Sequence, residues 1–204
     1  MFYPNKKFNC RVISCIIYFM IQNILNDAAH VHEQLANDHQ LQLQLDTVGK
    51  ACIQAIQHGH KIILCGNGGS FADAQHICAE FVGRFLKERR SLPSVCLGCN
   101  SSSTTAIAND YAFDQLYARE LSSIGQEGDV LIGITTSGNS ANVLAAIAVA
   151  KEKNIQAFGL TSNKKGLITQ QCTCIEIPSS HTPRVQECHI LIGHIICEMV
   201  DHHL

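Results

Sequence analysis

Four residues apart on a stretch whose apolar positions are Ala74, Ile77, Cys78, Phe81 and Val82, His76 and Glu80 share one face of a helix. An imidazole and a carboxylate so placed can grip one divalent metal, and the carboxylate can equally serve as a proton-transfer base. Asp73 and Arg84 extend the same polar stripe. The plainer account of the spacing is a solvated helix-face pair, worth about 0.2–0.5 kcal/mol. Near the C-terminus, Gln186, His189 and His194 interrupt an otherwise apolar run that includes Ile190, Leu191, Ile192, Ile195, Ile196, Met199 and Val200. Polar groups in such a run need partners. They can be metal ligands, or each histidine can satisfy a core carbonyl. Gln186 and His194 stand about 12 Å apart along a helix axis, so one ion reaches both only if it lies between them.

Two turns are suited to anion or sugar binding. Gly66-Asn67-Gly68-Gly69-Ser70 lets backbone amides approach a ligand closely. It is not a dinucleotide fingerprint, because Phe71 stands where the third glycine would be, and no Gly-Lys-Ser/Thr makes it a P-loop. A tight strand-to-helix connection needs the same glycines. Thr135-Thr136-Ser137-Gly138-Asn139-Ser140 brings four hydroxyls and a glycine to a helix N-terminus. Free amides and the positive end of the helix dipole favour an anion there, and a simple N-cap needs only one hydroxyl. With no basic cluster beside it, the turn suits a small phosphorylated metabolite better than a polyanion.

The elements that must position these residues alternate. Short apolar runs at Lys61–Cys65, Val95–Leu97, Val130–Ile134, Ala157–Leu160 and Cys174–Ile177 have strand length. Between them the pattern predicts helices over Ala72–Lys87, Thr104–Ala108 with Asp114–Ser123, Ala141–Lys153, Lys165–Gln171 and Pro183–His203. Upstream, apolar positions from Ile24 to Ile56 predict two further helices forming an N-terminal arm, closed by His58-Gly59. This is an α/β sandwich of three layers around a five-stranded, mostly parallel sheet. Ligands in such sheets bind beyond the carboxyl ends of the strands, where both turns fall.

At 204 residues, 46% hydrophobic and 16% charged, the chain can bury a real core, and disorder or a fibrous repeat is excluded. A net charge of -2 offers no overall field for nucleic acid or an anionic membrane. Eleven cysteines are an odd number and sit within apolar runs, which points to free thiols in a reducing cytoplasm and not to a disulfide scaffold. Cys96-Leu97-Gly98-Cys99 and Cys172-Thr173-Cys174 could supply four thiolates to structural zinc, but their place in or beside strands favours buried apolar cysteines. Lys6, Lys7 and Arg11 before the apolar run Val12–Ile21 have the order of a secretory signal, yet no small-x-small cleavage site follows. The run is also too short to span a bilayer. Residues 1–19 are expected to be an extension, and 20–204 one domain.

In combination and order, several segments resemble bacterial phosphoheptose isomerases, enzymes of the sugar isomerase (SIS) domain family. They are Cys65 to Ser70 with Asp73, Ala74, His76, Glu80, Gly83 and Arg84; Ala108-Asn109-Asp110; Thr136 to Val143; and Arg184 to Glu187 with His194. The resemblance implies a flavodoxin-like SIS fold, a cytoplasmic homotetramer, and interconversion of sedoheptulose 7-phosphate with D-glycero-D-manno-heptose 7-phosphate for lipopolysaccharide or related glycans. It implies one Zn2+ per subunit on His76, Glu80, Gln186 and His194. It also implies substrate contacts at Asn67, Gly68, Gly69, Glu80, Asn109, Asp110, Thr135, Thr136, Ser137, Ser140 and Gln186, with Glu80 and His194 as the catalytic pair. Thr135 stands where many members have serine, and Pro183 where some have an aspartate. A non-catalytic SIS protein, either a sugar-phosphate sensor or a regulator that binds the replication initiator, is the alternative; such proteins tend to lack the His/Glu/His set.

Overall fold

The computed structural model describes residues 10–204, with side chains from residue 16 onward. Lys6 and Lys7 of the charged start lie outside that range. Helix α1 (Cys10–Asn37) runs without a break across Met20, and α2 (His39–Gln57) folds back from it after Asp38, whose side chain accepts from the Leu41 N–H as an N-cap. The remaining elements are β1 (Ile62–Gly66), α3 (Gly69–Val82), β2 (Ser94–Cys96), α4 (Ser101–Asp110), α5 (Leu116–Ile124), β3 (Val130–Ile134), α6 (Ala141–Glu152), β4 (Gln156–Ser162), β5 (Thr173–Ile177) and α7 (Thr182–His202).

All five strands are parallel, in the order β2-β1-β3-β4-β5. The central strands β1 and β3 are buried along their whole length, which is why they read as unbroken apolar runs. On one face, α2, α3 and α7 pack around Ile56, Ile77, Phe81, Ile192 and Ile196; on the other, α5 and α6 pack around Tyr117, Leu121, Val143 and Ile147.

Chain direction across the sheet reverses between β1 and β3, with Gly66 paired beside Ile134. Such a switch point leaves a crevice beyond the strand ends. Both turns singled out above open there.

Most element ends shift by one to three residues, and some readings change outright. Helix α3 begins three residues earlier than the pattern suggested and stops at Val82, where Gly83 caps it. Lys165–Gln171 is not an α-helix: only Leu167–Gln170 turns, in a 3-10 conformation, after Lys165 takes a left-handed φ of 50°. Nor are all four cysteines of the two short motifs buried, since Cys99 is exposed and Cys172 half-buried.

Candidate active site

Glycine at position 68 adopts φ of 57°, a conformation costly for other residues, and this lets the chain leave β1 and enter α3 directly. Asn67, just before it, exchanges two hydrogen bonds with Asn142 at the start of α6: Asn67 Nδ2 donates to Asn142 Oδ1 at 2.8 Å, and Asn142 Nδ2 donates to Asn67 Oδ1 at 2.9 Å. The Tyr117 hydroxyl donates to the Gly66 carbonyl and lies 3.2 Å from Asn67 Oδ1. The glycine turn and the hydroxyl turn are thereby locked together. Asn142 and Tyr117 were not expected from sequence, because their partners lie 75 and 50 residues away. A cavity of about 150 Å³ adjoins this junction, lined by Gly66, Asn67, Gly68, Phe71, Phe113 and Tyr117 among others.

In the second turn the hydroxyls face one another. Thr135 Oγ1 is 2.8 Å from Ser140 Oγ and 3.3 Å from Ser137 Oγ, while Ser137 Oγ accepts from the Asn139 N–H at 3.1 Å. Ser140 occupies the N-cap position of α6, yet its side chain makes no capping hydrogen bond. The hydroxyls are therefore not consumed in closing the helix, and Thr136 and Ser137 remain accessible. The turn is shaped by Gly138, whose φ is 69°.

Helices α3 and α7 lie side by side. At one end, a Cβ on Gly69 would fall 2.3 Å from the Gln186 amide nitrogen, so Gln186 rests on the first turn of α3. Further along, His76 Nε2 stands 3.1 Å from His194 Nε2 and 3.2 Å from Glu80 Oε1. One ligand atom from each of His76, Glu80 and His194 lies within 4.8 Å of the others. In tetrahedral zinc, two nitrogens at about 2.0–2.1 Å from the metal stand about 3.3 Å apart, so this donor set fits the ion in both chemistry and spacing.

The two histidines of α7 thus divide. His189 is fully buried, its Nε2 meets the Thr161 carbonyl at 3.3 Å, and burial pushes its pKa down to about 4, which keeps it neutral. His194, by contrast, faces His76 edge-on and stacks on Phe85, a residue sequence reasoning missed. Asp73, at the start of the same stripe, has a buried Oδ2 without a partner; burial raises its carboxyl to about 6, with His76 pulling the other way. Asn109 and Asp110 are exposed at the end of α4 and bond to each other at 2.8 Å, without joining either cluster.

A second device holds the far end of α3. Arg89 donates to the carbonyls of Glu80 (2.9 Å), Phe81 and Gly83, and pairs with the buried Asp201 of α7 at 2.6 Å. Asp201 also accepts from the Leu86 and Lys87 N–H groups. This fixes the backbone that carries Glu80.

Residues 25–162 match the SIS domain family model. A phosphoheptose isomerase from Nitratiruptor sp. is 52% identical over 163 residues, covering 79% of this chain and 87% of that protein. This chain belongs to the phosphoheptose isomerases of the SIS domain family. Another member, from Aneurinibacillus thermoaerophilus, is 47% identical across 89% of this chain and 92% of its own. Among solved structures, the phosphoheptose isomerase of Francisella tularensis superposes with a TM-score of 0.86 at 30% identity, covering 91% of this chain and 98% of that one. The Neisseria gonorrhoeae enzyme gives 0.84 at 33%, covering 91% and 99%. Family membership makes the chain an enzyme, an isomerase, and sets aside the non-catalytic alternative.

Proposed function

We propose that this phosphosugar isomerase interconverts sedoheptulose 7-phosphate and D-glycero-D-manno-heptose 7-phosphate through a cis-enediol, supplying heptose for lipopolysaccharide or related glycans. One observation carries the reading: Glu80 and His194, far apart in sequence, meet on two helices whose packing also sets Gln186 against the glycine turn. An aldose/ketose isomerisation needs such a base and such a proton shuttle near a site that holds the sugar.

In this reading Thr135, Thr136, Ser137 and Ser140 hold the phosphate, with the N-terminus of α6 favouring its charge. Asn67, Gly68, Gly69, Asn109, Asp110 and Gln186 contact the sugar. Binding at the remote phosphate helps orient the reacting carbons. Glu80 takes the carbon-bound proton and returns it to the adjacent carbon. Its Oε1 is directed at His76, leaving Oε2 as the proton-accepting atom. His194 moves the oxygen-bound proton, its ring held by Phe85. His76, Glu80, Gln186 and His194 would hold one zinc ion, which when bound supplies Lewis acidity that polarises the sugar oxygens.

The reading includes a homotetramer in the cytoplasm. Ile16 to Ile21, Ile24 and Leu25 of α1 are exposed, a contiguous apolar surface of the kind that subunit contacts cover. The nine cysteines whose side chains are described are all free, and no helix among the described residues is long and apolar enough to cross a membrane. The test is to incubate the protein with sedoheptulose 7-phosphate, with and without a chelator, and identify the sugar formed. Recovery of unchanged substrate alone, with zinc supplied, would refute the proposal.

A further inference from the structure

Two thiols stand together where the chain leaves the turn that packs on Gly138. Cys172 Sγ and Cys174 Sγ are 3.8 Å apart, Cys174 within edge strand β5 and Cys172 just before it. Even fully extended chain sets residues two apart at a Cα separation of about 6.6 Å, within the span a disulfide bridges. Cys172 is half-buried, and a surface cavity of about 460 Å³ lined by Gln44, Gln171 and both cysteines gives a small oxidant access to it.

The pair is also tied to the turn. Cys172 Sγ contacts the Ile168 carbonyl at 3.7 Å, and Cys174 packs with Ile168 in the same core. The Ile168 N–H donates to the Gly138 carbonyl at 3.0 Å, and the Leu167 N–H donates to Asn139 Oδ1 at 2.9 Å. Gly166 lies against Gly138 so closely that a Cβ on either would meet the other's backbone within 2.8 Å. One rigid turn, residues 166–170, therefore touches the thiol pair on one side and the hydroxyl turn on the other.

We propose that Cys172 and Cys174 form a peroxide-sensitive pair whose disulfide weakens phosphate binding at Thr135–Ser140; the second half of this rests on reading that turn as the phosphate site. In the first step the Cys172 thiolate attacks one oxygen of hydrogen peroxide. The O–O bond breaks, and hydroxide leaves to become water on protonation. The Cys172 sulfenic acid is then attacked by the Cys174 sulfur, which gives up its proton as a second water departs. Two thiols lose two electrons and peroxide gains them. Closing the bond brings the sulfurs from 3.8 Å to about 2.05 Å, and drawing the Cys172 sulfur toward Cys174 strains its contact with the Ile168 carbonyl.

Local electrostatics favour the order of events. The hydrogen bond from Cys174 lowers the Cys172 pKa, burial opposes this and Lys151 assists, while Cys174 is raised as the proton-holding partner. Burial pushes Cys52 and Cys65 up to about 12 and Cys188 up to about 11, so these thiols are poor competitors.

Trypsin releases residues 166–184 as one peptide containing these two cysteines and no other. After brief treatment of the reduced protein with hydrogen peroxide, alkylation and mass mapping should show this peptide short of two hydrogens and unalkylated, and dithiothreitol should reverse both. Inorganic phosphate, titrated calorimetrically, should bind the oxidised protein about fivefold more weakly or worse. In Cys172→Ser neither change should occur. If both thiols stay alkylatable after Cys99 has reacted, or the peptide gains oxygen, the pair is refuted. An oxidised peptide with unaltered phosphate affinity refutes the coupling. Failure of the reduced protein to bind phosphate removes the reading of the turn, and the coupling with it, while the mapping still decides the disulfide.

Discussion

His76 Nε2 and His194 Nε2 stand 3.1 Å apart although 118 residues separate them in the chain. Two imidazole nitrogens this close either share one proton or turn both lone pairs toward a common cation, and Glu80 Oε1 at 3.2 Å from His76 supplies the negative charge that favours the second arrangement.

Zinc should therefore stabilise the fold. At a free concentration a hundredfold above Kd, about 2.7 kcal/mol is expected from mass action, read as a rise in Tm on adding zinc to chelator-treated protein. His194→Ala should fold and lose that rise. An equal rise in the variant would place the ion elsewhere.

Glu80→Gln keeps the shape of the side chain and removes its basicity. Turnover of sedoheptulose 7-phosphate should fall by about 10²–10⁴, with far-ultraviolet circular dichroism unchanged. Activity near that of the parent would remove Glu80 as the base.

The strands and both turns were legible because their signals are local. The runs Ile62–Cys65 and Val130–Ile134 are apolar since each strand is covered on both faces, and glycines or hydroxyls gather where the chain must turn at the crevice. His76 and Glu80 could be paired from spacing alone. What could not be read are pairings between distant segments, such as Asn67 with Asn142, Phe85 with His194 and Arg89 with Asp201. Each residue is unremarkable in its own neighbourhood, and only the topology makes them meet. Lys165–Gln171 failed for the opposite reason: its composition allows a helix, but the contact of Gly166 with Gly138 holds the segment in a tighter turn.

Thr135 is buried, and its hydroxyl joins those of Ser137 and Ser140. Thr135→Val fills the same space without the hydroxyl. A hydrogen bond to a charged group contributes about 1.5–3 kcal/mol, so KM for the phosphosugar should rise about tenfold or more while kcat changes little. Steady-state kinetics separate the two. A fall confined to kcat would show that the turn does not hold the phosphate.

Arg89 and Asp201 are the buried ion pair that ties the segment after α3 to α7, and removing one partner strands the other. Arg89→Ala should destabilise the fold by about 3–5 kcal/mol, measured by urea unfolding at pH 7. Burial pushes the Asp201 carboxyl up, but hydrogen bonds from Arg89, Leu86 and Lys87 outweigh it and hold the group below its ordinary range. The folded state therefore binds this proton less readily than the unfolded chain does. The resulting stability is complete above the unfolded carboxyl value of about 3.9 and is lost as pH falls from there through the lower folded value. Asp201→Asn removes the titrating group, so its stability should decline less steeply than that of the parent between about pH 5 and pH 2. Parallel curves for the two proteins over that window would show that Asp201 does not contribute to acid unfolding.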